Sequence, residues 1–341
     1  MGIAAETEPT AETEPTAGIG LSRREQLAFV VFSTWIITGL FLDGWSHEVN
    51  KPETFFTPWH AMLYSGFGVA VVWSAWDSRR TQARGEPSSN GLDPLATVGV
   101  VMFAAGMVGD FAWHALLGIE VNVEGLLSPT HLTLMTGGLI LASTPVRLAR
   151  AIHEGDDKPL ATFGVVQSVT ATVAVVAFFL QFVSAFKGEN AAGYVVLHGM
   201  GPFAEDRAIR GVAAILITNA LLLGGVTYLT SRWRLPRGAL AMVVGVPALA
   251  VSGLNGFSHI ELVGAAILGG LAGDLVVARH RPDLAPVAVP FVMWLSWTGI
   301  AALAMPFGWS PNVWGGAVFF SVLTGVGLRV LANGSGSPLP S

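Results

Sequence analysis

The chain of 341 residues contains no cysteine. Disulfides, thiolate zinc sites and iron–sulfur clusters are thereby excluded, and any metal must be held by His, Asp, Glu or Asn. That ligand set suits copper, iron, zinc or manganese. Charge is also scarce: 12% of the residues are Asp, Glu, Lys or Arg, against about 25% in soluble domains. With 52% hydrophobic residues there is too little polarity to cover a soluble globule, so the composition points to a bilayer. A formal net charge of −5 is modest and says little about nucleic acid, which is not expected as a partner. Phosphate loops, dinucleotide fingerprints and nucleophile–His–acid arrangements are missing too. The short run "LGGLAG" at 268–273 fits close helix packing instead.

What is present is a series of apolar runs. Ten of them approach the ~20 residues that cross a hydrocarbon core: 26–45, 58–77, 95–117, 129–148, 163–185, 208–230, 238–256, 260–278, 286–305 and 312–332. The expected fold is an all-α polytopic membrane bundle of about ten transmembrane helices. Placing the N-terminus inside puts 14 of the 18 Lys and Arg residues on the cytoplasmic side. By the positive-inside rule both termini are then cytoplasmic. Residues 1–22 carry "AETEPT" twice in succession, an acidic low-complexity tail expected to be disordered and unlike a cleavable signal peptide. The remaining chain divides into a four-helix half at 23–150, further spans at 151–332 and a flexible tail at 333–341.

Two stretches carry the chemistry. "DGWSHEVNKPETFFTPWH" (43–60) and "GDFAWHALLGIEVNVEGLLSPTH" (109–131) share a frame: a carboxylate, a His four residues on, a loop, then hydroxyl–Pro–x–His. The members are Asp43, His47, Thr57, Pro58 and His60, then Asp110, His114, Ser128, Pro129 and His131. A fragment recurs in "NGFSH", with Asn255 and His259, and "WSPN" at 309–312 repeats the start without a His. Asp and Asn fill 17 of the 341 positions, yet three of the eight histidines have one of them four residues earlier.

Residues four apart share one helix face, about 5–6 Å apart at Cβ. Asp43 and His47 can therefore converge on one ion from the last turn of a helix, as can Asp110 and His114. Thr57 and Ser128 are good N-caps and Pro suits the first helical position, which sets His60 and His131 in the first turn of the next helix. Each hairpin mouth would gather two imidazoles and one carboxylate, with coordination positions left open. Asp110 lies within an apolar run, where an unpaired carboxylate costs at least ~2.5 kcal/mol. Glu120 and Glu124 in the second loop are candidate outer acceptors, as are Asn255 and His259. Both mouths fall on the extracytoplasmic side of the expected topology.

These motifs resemble the C subunit of particulate methane and ammonia monooxygenases. Asp43, His47 and His60, closing on "TFFTPWH", match position by position that family's first intramembrane copper motif. Asp110, His114, Glu124, "LLSP" and His131 are similar to its second, with Asp in place of Asn and three extra residues before the last His. The match covers roughly residues 40–140. The resemblance implies bound copper, assembly with A- and B-type subunits, and oxidation of ammonia or a small hydrocarbon.

Residue types alone leave other readings open. The chain could handle metal without chemistry, as a delivery factor or transporter. Two His and one carboxylate also describe non-haem iron sites, and zinc remains open as well. The triads could equally be hydrogen-bonded structural clasps. Polar residues within the spans are few, namely Gln167, Gln181, Asn219 and Asp274. A homo-oligomer in the lipid bilayer is the alternative to an A/B/C complex.

Overall fold

The computed structural model describes residues 23–49, 57–83, 94–118, 122–152, 158–195 and 203–334. Among these residues there is no strand, and most of them are helical. In chain order the helices are α1 (Arg23–Glu48), α2 (Pro58–Ala83), α3 (Pro94–Leu117), the short α4 (Asn122–Leu127), α5 (Pro129–Ile152) and α6 (Phe163–Phe179). There follow α7 (Gly188–Val195), α8 (Phe203–Arg232), α9 (Ala239–Gly253), α10 (Glu261–Ala278), α11 (Ala285–Ala304) and α12 (Pro311–Gly334).

Among the described residues seven helices are long and apolar enough to cross a membrane: α1, α3, α5, α8, α10, α11 and α12. An eighth crossing results if α6 and the segment Gln181–Val195, bent by 76° against it, count as one. A multi-pass membrane protein fits this set. The sequence expectation of ten included two more runs, which form α2 and α9. With 15 residues, α9 is shorter than a perpendicular crossing requires. Although 26 residues long, α2 is diluted by polar side chains from His60 to Arg80.

The hairpins form where the sequence caps them. Thr57 Oγ1 accepts the His60 amide at 3.2 Å and Ser128 Oγ accepts the His131 amide at 3.3 Å, the side-chain capping expected of these residues. Pro58 and Pro129 occupy the first helical positions, where a missing N–H has no consequence. α1 packs on α2, and α3 on α5. Two glycines set how close these pairs come. A Cβ on Gly39 would lie 2.7 Å from the Leu63 backbone, and one on Gly137 would lie 2.6 Å from the Phe103 amide. Neither helix pair tolerates a side chain there.

α6 stands behind both hairpins, against α1, α5, α8 and α9. Helices α8 to α12 enclose the largest buried cluster, with Trp294, Trp297, Leu223 and Met293 fully buried. "LGGLAG" lies on α10, where Gly269 meets Met293 of α11 and Gly270 meets Ala241 of α9. The polar residues within the spans are engaged in holding helices together. Asn219 on α8 accepts from Trp294 Nε1 at 2.8 Å and donates to the Ser321 carbonyl at 3.1 Å. Asp274 accepts the Leu240 and Ala241 amides, both at 3.1 Å, capping α9 from a neighbouring helix. Gln167 donates to the hydroxyls of Ser33 and Thr34 on α1, and Gln181 accepts from Lys187 at 3.2 Å.

Candidate metal centre

The end of α1 and the start of α2 bring Asp43, His47 and His60 together. Nε2 of His47 lies 3.7 Å from Asp43 Oδ2, and Nε2 of His60 lies 3.5 Å from Asp43 Oδ1. The second hairpin repeats this with α3 and α5: Nε2 of His114 and of His131 are 3.3 and 3.2 Å from Asp110 Oδ1. In each cluster one ligand atom from each of the three residues lies within 4.8 Å of the others. A single ion can be reached by all three. Asp43 and His60 are buried and Asp110 is fully so.

The far sides of the rings are held as well. Nδ1 of His114 is 3.3 Å from the Gly118 carbonyl oxygen. Nδ1 of His131 is 2.5 Å from the Gly125 carbonyl oxygen, supplied by α4, and 2.9 Å from Ser128 Oγ. Nδ1 of His60 faces Thr57 Oγ1 at 3.2 Å. A carbonyl oxygen only accepts, so on His114 and His131 the proton sits on Nδ1. With Nδ1 engaged in this way, Nε2 of each ring faces the same Asp110 carboxylate oxygen and can ligate a metal ion shared by all three groups. Backbone carbonyls fixing Nδ1 while Nε2 faces inward is the outer arrangement usual for metal-ligating histidines.

The first cluster adds an independent sign. Asp43 Oδ1 is buried and makes no hydrogen bond, the His60 Nε2 atom standing at ion-pair distance from it, 3.5 Å. A cation bound there would satisfy it. Both clusters thus present two nitrogens and one anionic oxygen, a donor set that fits copper, iron or zinc.

One residue joins the two clusters. The Tyr64 ring, one turn after His60 on α2, stacks on that imidazole at 5.7 Å with an interplanar angle of 3°. Its hydroxyl donates to Asp110 Oδ2 at 3.2 Å, and Thr130 adds a longer contact to Oδ1 at 3.4 Å. Sequence reasoning passed over Tyr64, although its place four residues after His60 puts it on the same helix face. The carbonyls of Gly118 and Gly125 were also passed over, since a backbone acceptor leaves no side-chain trace.

Other expected members lie elsewhere. Glu124 is exposed on α4 and joins neither cluster. Glu120 lies outside the described residues. His259 pairs with Glu261 at 2.9 Å, and the Asn255 amide, with its oxygen and nitrogen exchanged, accepts from Ser258 Oγ at 2.9 Å and from the Glu189 N–H at 3.0 Å. Beside the first cluster, Lys187, itself buried, bonds to Glu48 at the end of α1.

Comparison of the chain with protein-family models, with curated proteins and with solved structures found no match.

Proposed function

We propose that this chain is a multi-pass copper protein of the kind exemplified by the C subunit of particulate methane and ammonia monooxygenases. In this reading it crosses the membrane about ten times, α2 and the short α9 being counted as crossings too, with both termini cytoplasmic and both clusters towards the extracytoplasmic side. Its task is the oxidation of ammonia or a small hydrocarbon, alone or beside A- and B-type subunits. The observation that carries this reading is the recurrence, in two separate hairpins, of two inward Nε2 atoms and one buried carboxylate within common ligand reach.

In this reading His47, His60 and Asp43 hold one copper, and His114, His131 and Asp110 the other. Copper, when bound, supplies the redox chemistry at which dioxygen is reduced; the two electrons and the protons for the second oxygen atom come from an external donor. The chain's own residues fix the rings through Thr57, Gly118 and Gly125, supply one negative charge per site, and keep water away with the apolar walls below. An ion path through the bilayer has less support, because Gln167, Gln181, Asn219 and Asp274 are all engaged in hydrogen bonds. Delivery of metal at the outer face is the alternative function.

The test is dioxygen-dependent product formation in native membranes, with ammonia, short alkanes and a long alkane such as hexadecane as substrates. Wild-type membranes should form hydroxylated product in proportion to added copper, and His60→Ala or His131→Ala should reduce it at least a hundredfold. Copper uptake with no product from any substrate would favour delivery.

A further inference from the structure

Between the two hairpins and α6 lies a cavity of about 750 Å³. That is space for about 25 waters at ~30 Å³ each, so a molecule the size of ammonia or methane would leave it almost empty. Its walls are sorted by polarity. Asp43, His47, His60, Tyr64, His114 and His131 line the outer end. Below them α1 contributes Leu40, Ile37, Ile36 and Phe29 from one face, reaching Glu25 at the inner end. From Asp43 to Phe29 the helix rises about 21 Å at 1.5 Å per residue, more than the ~15 Å of one hydrocarbon leaflet. Phe67, Phe103, Leu134 and Val175 complete the shaft. The bore is kept open by small residues, among them Ala70, Gly138 and Ala171.

We infer that this cavity binds a single-chain amphiphile, a long unbranched alkyl chain with a hydroxyl head, lying along α1 with its head at the two clusters. The chain fills the apolar shaft, and in the metal-free protein the hydroxyl donates to Asp43 Oδ1, the buried carboxylate oxygen that makes no hydrogen bond and has the His60 ring 3.5 Å away. An anionic head fits poorly, because Asp43, Asp110 and Glu48 already stand at that end. The inference rests on the proposed oxidation only for what becomes of the chain. It extends the substrate class of that reading from small molecules to chain-bearing ones, and the binding itself needs no metal.

The experiment is saturable binding of tritiated hexadecanol to the full-length protein in nanodiscs, after chelator treatment and again after copper loading. Competitors are butanol, octanol, unlabelled hexadecanol and dioleoyl phosphatidylcholine. Hexadecanol should compete at least 100-fold better than octanol in both metal states, and the two-chain lipid should not compete. Gly138→Leu plugs the shaft, since a Cβ there meets nothing closer than Phe103 at 3.8 Å. It should weaken hexadecanol binding at least tenfold while leaving copper content unchanged, and Ala70→Leu serves as a second plug should the first not fold. Asp43→Asn should weaken binding several-fold without altering the chain-length preference. Absence of saturable binding, wild-type affinity in both plugged variants, or equal competition by the two-chain lipid would each overturn the inference. Copper content measured on the same samples tests the metal reading separately.

Discussion

The Tyr64 hydroxyl donates to Asp110 Oδ2 at 3.2 Å while its ring lies parallel to the His60 imidazole. One side chain thus touches a carboxylate of the second cluster and an imidazole of the first. The two clusters, 46 residues apart along the chain at these positions, share an outer partner.

Tyr64→Phe keeps the ring and removes the hydroxyl. Outer-shell partners of ligands typically contribute 10–100-fold to metal affinity, so copper binding at the Asp110 cluster should fall by about tenfold. The Asp43 cluster should hold its affinity, because the stack survives. Tyr64→Ala should weaken both. Competitive copper titration with a chelator reads this; equal loss at both sites in the Phe variant would argue against the assignment.

Thr57→Ala removes both the cap of α2 and the partner of His60 Nδ1. Loss of an N-cap costs about 1 kcal/mol, expected as a lower melting temperature in metal-free protein. Thr57→Ser retains the hydroxyl and should restore both stability and copper affinity. A variant with unchanged melting and unchanged copper binding would show that the Oγ1 contacts contribute nothing.

Copper should stabilise the fold. A ligand at a hundred times its Kd adds about 2.7 kcal/mol, which thermal unfolding with and without chelator will read. In the double variant His60→Ala/His131→Ala the copper-induced shift should vanish. If the clusters are only hydrogen-bonded clasps, the wild type will melt at one temperature with or without copper.

Asn219→Ala breaks the link from α8 to Trp294 and Ser321. Stranding buried polar groups costs about 1–3 kcal/mol, so the variant should melt earlier. Copper stoichiometry should stay at the wild-type value, because Asn219 touches neither cluster. Loss of copper flux with unaltered stability would instead mark Asn219 as part of a polar path.

How much of this was legible in the chain depended on how local each feature is. Asp43 with His47, and Asp110 with His114, follow from four-residue spacing on a continuous helix, and Thr57–Pro58 and Ser128–Pro129 announce the next helix within a few residues. The same spacing in Asn255 and His259 brings no shared face. Residues 254–260 run through successive turns, with Phe257 and His259 at φ 60° and 55°, so the helical rule does not apply there. Tyr64 reaches Asp110 across two helices, and that pairing is tertiary. The bend after α6 carries no proline or glycine signal: Leu180 follows Phe179 directly. The cavity, too, belongs to the packing of five helices rather than to any one segment.

The central claim is that each hairpin binds its own copper. Elemental analysis of purified protein, wild type against His60→Ala and His131→Ala, tests it directly. Two coppers per chain in the wild type and one in each variant is the predicted result; a wild type without copper, or variants that retain both, would contradict it.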